Sequence, residues 1–415
     1  MPQEALIASP VAEQLRRGFR WLRFVPGLET TYRAEQFRGD LKFLRINLGI
    51  ISLSLLVIFQ VEHVVMPAIS GVLPGYLRFG VMVPTLLLAF ALTFVPRAET
   101  WYPRVMAALL PVALMAIAWV GLWAWGLGEN RLFVRLIIAT IATYFLFGLP
   151  FRSALVANLI AVGFYAVAAT AVAMPTLEQV NYLCMLFVAN MMCAAAGYKM
   201  EHTRRTAWLE AQLLDEFAQR DGLTGIYNRR RFDEHLADVW QQGVRERRPV
   251  ALLFADIDHF KAFNDRYGYV RGDEVLRLLA RLLVAATEAE RGPDCAGLYH
   301  IGGDDFFVVT QPGRADEIAA AVIAQFDAQI GAFYDPDDAA RGHIRGVDRL
   351  GRRAQFPLMS LSIVAVSWGA GERPRLGELA GILAEVRETV RETTRRQKGS
   401  VYLHRASVGK GAERS

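Results

Sequence analysis

The stretch His300-Ile301-Gly302-Gly303-Asp304-Asp305-Phe306 decides how the rest of the chain is read. Two glycines and two carboxylates stand between apolar runs at 296–301 and 306–310. That pattern describes two strands joined by a tight turn, because paired glycines supply the positive φ that such turns need. Taken alone, it also fits an ordinary solvated turn, glycine and aspartate being good turn formers. A second acidic strand end lies upstream, Phe254-Ala255-Asp256-Ile257-Asp258, after the apolar run 250–254 that reads as a buried central strand. Carboxylates from two neighbouring strand ends can hold a magnesium ion. Magnesium prefers oxygen ligands and keeps positions open for phosphate oxygens, which suits phosphoryl or nucleotidyl transfer.

Outward from these strand ends, composition divides the chain. At 415 residues it exceeds one ordinary domain, and 53% hydrophobic with 21% charged residues is high for a soluble protein. Nearly all of the apolar excess lies before about Tyr198. The three cysteines, Cys184, Cys193 and Cys295, indicate neither a disulfide framework nor a zinc site, so the C-terminal region is expected in the cytosol. The net charge of +5 owes much to arginines beside the apolar stretches, where membrane topology explains them. No nucleic-acid-binding motif is present, and nucleic acid is not an expected partner.

Six apolar stretches, 46–66, 79–96, 105–128, 136–151, 153–177 and 179–198, each approach the roughly 20 residues that cross a bilayer. Lys and Arg concentrate in the N-terminal segment, at Arg97 and Arg104, at Arg152, and at Lys199, Arg204 and Arg205. The links at 67–76 and 174–179 carry none, so both termini are expected in the cytoplasm, with the chain embedded in a bacterial inner membrane. Residues 1–42 interleave arginines with Leu15, Phe19, Leu22 and Phe24, as in an interfacial helix facing anionic lipid or a solvated amphipathic tail. Glu62 and His63, near the outer end of the first span, are either functional or snorkelling groups. Trp119, Trp123 and Trp125 read as an interfacial belt in preference to a ligand cage. Residues 198–220 carry Met200, Trp208, Leu209, Leu213 and Phe217 at helical spacings, a helix leaving the membrane with room for about three heptads of coiled coil.

Two further blocks complete the pattern: Asp221-Gly222-Leu223-Thr224-Gly225-Ile226-Tyr227-Asn228-Arg229-Arg230-Arg231-Phe232, and a run from His259-Phe260-Lys261 through Asn264-Asp265 to Gly272-Asp273-Glu274. With the 302–306 turn, these blocks in this order resemble the GGDEF family of diguanylate cyclases over roughly 221–404. The resemblance implies an α/β palm of βαββαβ order, preceded here by an all-α transmembrane domain of about six helices. Periodicity assigns strands over 250–256 and 358–366, the hairpin around 302–305, and helices over 273–289, 315–330 and 376–396. The expected organisation is a basic segment 1–42, a membrane domain 43–198, a linker helix 199–220, the palm 221–404 and a disordered tail 405–415.

The resemblance also implies roles. Asp256, the backbone carbonyl of Ile257 and Asp304 should hold Mg2+ or Mn2+. Asp304 and Asp305 fall in the catalytic signature. Asn264 and Asp273 should meet the guanine edge, Gly302 and Gly303 should let the backbone approach the nucleotide, and Lys261 with nearby amides, Phe260 among them, should meet the phosphates. Helix capping by Asn264 and Asp273, and a solvated Lys261, are the plain alternatives. The implied reaction joins two GTP molecules into cyclic di-GMP, so two palms must face each other, with the linker helix setting the geometry of a homodimer.

The chain departs from the family pattern at several points. Asp305 stands where glutamate is usual, and one methylene retracts the carboxylate by roughly 1.5 Å. A misplacement of ~1 Å can cost about 100-fold in rate, which keeps open a non-catalytic nucleotide-binding or protein-interaction role. Tyr269 replaces a histidine and His300 an arginine. Arg291-Gly292-Pro293-Asp294 has the residues of the family's product-inhibition site but stands seven residues, not five, before Gly302; it is that site or a charged loop. A charged insert at 333–356 reads as a solvated loop or a partner surface. The last helix offers Arg387, Arg391, Arg395 and Lys398 to pyrophosphate or to solvent.

Overall fold

The computed structural model describes residues 9–65, 72–246, 249–288, 297–347, 352–369, 381 and 399–406. Two compact units meet in sequence at Leu213 and Leu214.

The first unit is helical throughout: α1 (Pro10–Arg17), α2 (Pro26–Val65), α3 (Val72–Leu77), a π-helical segment (Arg78–Met82), α4 (Val83–Leu92), α5 (Ala98–Gly126), α6 (Val134–Phe145), α7 (Phe151–Ala171) and α8 (Thr176–Ala218). Among the described residues, five helices are long and apolar enough to cross a membrane: α2, the continuous Leu73–Leu92 helix, α5, α7 and α8. The fourth expected span, 136–151, is not among them. α6 has only 12 residues, because Gly148 takes a positive φ of 61° and Pro150 precedes the start of α7, and neither continues a helix. The first and last spans run well past their apolar stretches, α2 for 40 residues and α8 for 43.

Those extensions are packed together, so the N-terminal segment is not a solvated tail. Val11, Phe24 and Tyr32 enclose Leu209 of α8. Arg205, 1% exposed, forks onto Glu29 at 2.8 and 3.1 Å and reaches Glu201 at 2.8 Å. Glu29 also accepts the Phe24 amide at 2.8 Å, and Glu201 accepts the Phe151 amide at the start of α7 at 2.6 Å. A buried charge is tolerated because every partner is satisfied. One face of the expected linker helix is thus occupied by this chain's own N-terminal segment.

The second unit is a mixed sheet with helices on both faces. Its strands are β1 (Tyr227–Asn228), β2 (Val250–Asp258), β3 (Gly297–Gly302), β4 (Asp305–Thr310), β5 (His343–Val347), β6 (Arg353–Pro357), β7 (Ser360–Trp368) and β8 (Val401–Ala406), in the order β1-β3-β4-β2-β7-β8, with β5 and β6 a separate hairpin. Its helices are α9 (Arg229–Glu246), α10 (Phe260–Tyr267), α11 (Tyr269–Glu288), α12 (Pro312–Ile330) and α13 (Pro336–Arg341). β2 pairs antiparallel with β4 and β7, which explains its unbroken apolar run: Ala251, Leu253 and Ala255 enter one core with Leu279, Phe306 and Val322, and Leu252 and Phe254 enter another with Phe232, Tyr299 and Phe307. The expected βαββαβ order is present as β2, α11, β3, β4, α12 and β7, with α10 added before α11. Edge strands β1 and β8 were not expected. The helix expected at 376–396 lies outside the described residues.

The 333–356 insert is not the expected solvated loop. It forms α13 and the β5–β6 hairpin and docks on the palm, with Ile344 1% and Tyr334 5% exposed in the first core. Tyr334 accepts the Met359 amide at 2.8 Å, and the Tyr267 hydroxyl donates to buried Asp338 at 2.5 Å.

Candidate functional site

Strand register builds the site. The β2–β4 ladder pairs Ala251 with Thr310 and ends at Ala255 with Phe306. One step further, Asp256 falls in line with Asp305, at the tip where the β3–β4 hairpin turns. Carboxylate oxygens of Asp256, Asp304 and Asp305 all lie within 4.8 Å of one another, each side chain partly buried. Three carboxylates this close repel one another, and a hard divalent cation offering oxygen coordination relieves that repulsion. The donor set therefore fits Mg2+ or Mn2+. Asp305, expected in the catalytic signature, belongs to the cluster despite its shorter side chain. Ile257 turns its side chain into the core at 2% exposure. Asp258 is held aside by the Ser360 and Ser362 hydroxyls, which donate to it at 3.0 and 2.6 Å.

The hairpin tip depends on its glycines for backbone conformation. Gly302 has φ +138° and Gly303 φ +64°, both exposed, with open space where a Cβ would stand. The register shifts between His300 and Gly302, which brings Asp304 and Asp305 out on the turn.

His300, 5% exposed, supports that turn from beneath. Its Nε2 meets the Gly303 carbonyl at 3.0 Å, its ring stacks on Phe306 at 4.5 Å, and its Nδ1 lies 2.9 Å from Asp221 Oδ1 as an ion pair. Both ring nitrogens face acceptors, so the imidazolium is favoured. Burial opposes the charge, but Asp221 and the Gly303 carbonyl outweigh it and raise the His300 pKa. Burial likewise works against the Asp221 carboxylate, yet His300 and the Thr224 hydroxyl and amide hold it well below the usual range. Asp221 Oδ1 also accepts from the Leu223 amide at 3.2 Å and the Thr224 amide at 2.9 Å, closing the Asp221–Gly225 turn. Sequence reasoning saw this turn and the histidine separately and missed their pairing, which only the parallel β1–β3 contact creates.

The residues expected to meet the nucleotide lie on α10 and α11. Asn264 presses against the turn carrying Asp273: a Cβ on Gly272 would stand 1.9 Å from Asn264 Oδ1. That oxygen is buried without a hydrogen-bond partner among the described residues, as an acceptor reserved for a ligand would be. Lys261 is exposed near the start of α10, and Phe260 is buried in the core at 8%, leaving only its backbone for a ligand. Tyr269 is 75% exposed beside this face. Arg291 and Asp294 lie outside the described residues, as do Arg387, Arg391, Arg395 and Lys398.

Residues 218–336 match the family described as "Diguanylate cyclase, GGDEF domain". The chain thus carries a GGDEF domain behind a set of long apolar helices. Its relatives include the probable diguanylate cyclase DgcC of Escherichia coli K12, 37% identical over 123 residues, or 30% of either chain. The diguanylate cyclase VdcA of Vibrio cholerae is 37% identical over 99 residues, 24% of this chain and 26% of that one. The chain spans less than a third of the length of these curated relatives. Among solved structures, the coiled coil and GGDEF domain of DgcB from Caulobacter crescentus in complex with c-di-GMP is 20% identical, with a TM-score of 0.36 over 51% of this chain and 98% of that one.

Proposed function

We propose that the C-terminal unit is a diguanylate cyclase, condensing two GTP molecules into cyclic di-GMP, and that the helical unit is a membrane-embedded regulator in the bacterial inner membrane with both termini cytoplasmic. The observation that carries this reading is the joining of Asp256, Asp304 and Asp305 at one strand end, beside an α10–α11 face with an unpartnered buried acceptor at Asn264.

In this reading Asn264 Oδ1 and the Asp273 carboxylate accept hydrogen bonds from the guanine edge, fixing the base. Lys261 and the Phe260 amide contact the phosphates, and the open backbone of Gly302 and Gly303 lets the nucleotide lie against the turn. The 3′-hydroxyl of one GTP attacks the α-phosphorus of the other; a P–O bond forms, pyrophosphate leaves, and the step repeats in the opposite sense. A divalent cation held by Asp256, Asp304 and the Ile257 carbonyl, with Asp305 alongside, would neutralise developing charge and favour the alkoxide. One palm binds one GTP, so the active species is a homodimer of facing palms joined through the linker region, 199–220.

The test is cyclic di-GMP formation from GTP and Mg2+ by the full chain in lipid nanodiscs, with Asp304→Ala and Asp305→Glu in parallel. Product that disappears in Asp304→Ala supports the cyclase. GTP binding without product in the parent and in Asp305→Glu refutes it and favours a nucleotide receptor.

A further inference from the structure

Within the helical unit, α2, the π-helical segment, α4, α5 and α6 line an open-sided cavity of about 280 Å³. Its wall is apolar, with Leu55, Leu86, Leu114, Ile138 and Phe147 representative, but two arginines, Arg78 and Arg135, also line it. Arg78 is 2% exposed. It lies 3.1 Å from Glu62, which also pairs with Arg135, and its Cζ sits 5.4 Å from the Phe59 ring. Arg78 Nε has no hydrogen-bond partner among the described residues. Glu62 does not line the cavity, so the two arginines stand between their shared carboxylate and the apolar space. Two guanidinium groups share one carboxylate, Arg78 buried and Arg135 with 30% side-chain exposure, and their excess positive charge is costly in a membrane-facing interior unless an anion completes it.

The cavity's shape narrows the ligand further. Its lining on α6 extends from Arg135 to Thr143, ~12 Å along the helix at 1.5 Å per residue, and reaches Phe147 just beyond the helix end. At one end an anion meets planar guanidinium groups whose fork matches carboxylate oxygens; the rest of the lining is apolar apart from the Ser54, Thr85 and Thr143 hydroxyls. We infer that this cavity is a binding site for an alkyl carboxylate, with the carboxylate on Arg78 and Arg135 and the chain running toward Phe147.

The test uses the full chain in nanodiscs of zwitterionic lipid and radiolabelled tetradecanoate, with tetradecanol and tetradecyl phosphate as competitors. Saturable tetradecanoate binding, displaced at least tenfold better by unlabelled tetradecanoate than by either competitor, is expected. Preferential displacement by the phosphate would assign the site to a lipid-phosphate group and overturn the carboxylate; parity with the alcohol would reduce it to partitioning and overturn the site. Arg78→Gln should weaken binding at least tenfold, whereas Glu62→Gln, which removes the competing carboxylate, should preserve or tighten it. Equal loss in both variants would show a structural role for the cluster and refute the inference. Should Arg78→Gln fail to fold, the competitor series on the parent decides alone.

Discussion

Replacing Asp221 by asparagine keeps the acceptor for the Leu223 and Thr224 amides but removes the charge facing His300. Hydrogen bonds and pairs involving charged groups contribute about 1.5–3 kcal/mol. Asp221 keeps 26% side-chain exposure, so the lower end applies, about 1.5 kcal/mol, or roughly a tenfold loss of protection against local opening. The pH dependence follows from the two shifts. The His300 pKa is raised, so its contribution is complete below the unfolded value of about 6.5 and fades as pH rises through the folded value. The Asp221 pKa is depressed, so its contribution is complete above about 3.9 and fades as pH falls through its lower folded value. The pair is therefore strongest between roughly pH 4 and 6.5. Hydrogen exchange of the 221–228 turn and the 300–306 hairpin, corrected for intrinsic rates, should show the tenfold difference between parent and variant near pH 5.5 and a smaller one near pH 9. An equal difference at both values, or none at pH 5.5, would refute the ion-pair account.

Three further outcomes are expected. Gly272→Ala would place a methyl carbon 1.9 Å from Asn264 Oδ1 and so evict that side chain; the Kd for a non-hydrolysable GTP analogue should rise about tenfold, and an unchanged Kd would remove Asn264 from the site. Arg205→Met should destabilise the helical unit by about 3–5 kcal/mol, because it strands Glu29 and Glu201 in a buried cluster, with partial recovery on adding Glu29→Gln; thermal unfolding in detergent measures both. Ile344→Ala, deep in the first palm core, should cost about 2–5 kcal/mol in denaturant unfolding, whereas a change under about 0.5 kcal/mol would return the insert to a surface loop.

Much of the palm was legible because its signals are local. Strand β2 is written as an apolar run, α11 and α12 as apolar residues at helical spacing, and the β3–β4 turn as paired glycines. The edge strands were not legible: β1 has two residues, and β8, Val401-Tyr402-Leu403-His404-Arg405-Ala406, carries a mixed pattern that becomes a strand only beside β7. The insert misled because its many charges conceal single anchors, Tyr334 and Ile344, whose burial is set by distant partners. The short α6 misled in the opposite way. Its hydropathy continues to Phe151, while Gly148 and Pro150 interrupt the helix.

The sequence by itself determined the parts that depend on neighbours along the chain: apolar helices, the order of palm elements, and glycines where the backbone needs positive φ. It also named Asp256 and Asp304 before any fold was available. Tertiary structure decided what depends on register and on charges meeting across the fold. The antiparallel ladder put Asp305 in line with Asp256, the β1–β3 contact paired Asp221 with His300, and helix packing enclosed Arg205 with Glu29 and Arg78 with Glu62. A buried charge persists only where its partner is within a few ångströms, and sequence separations such as the 176 residues between Glu29 and Arg205 carry no local trace of that partner.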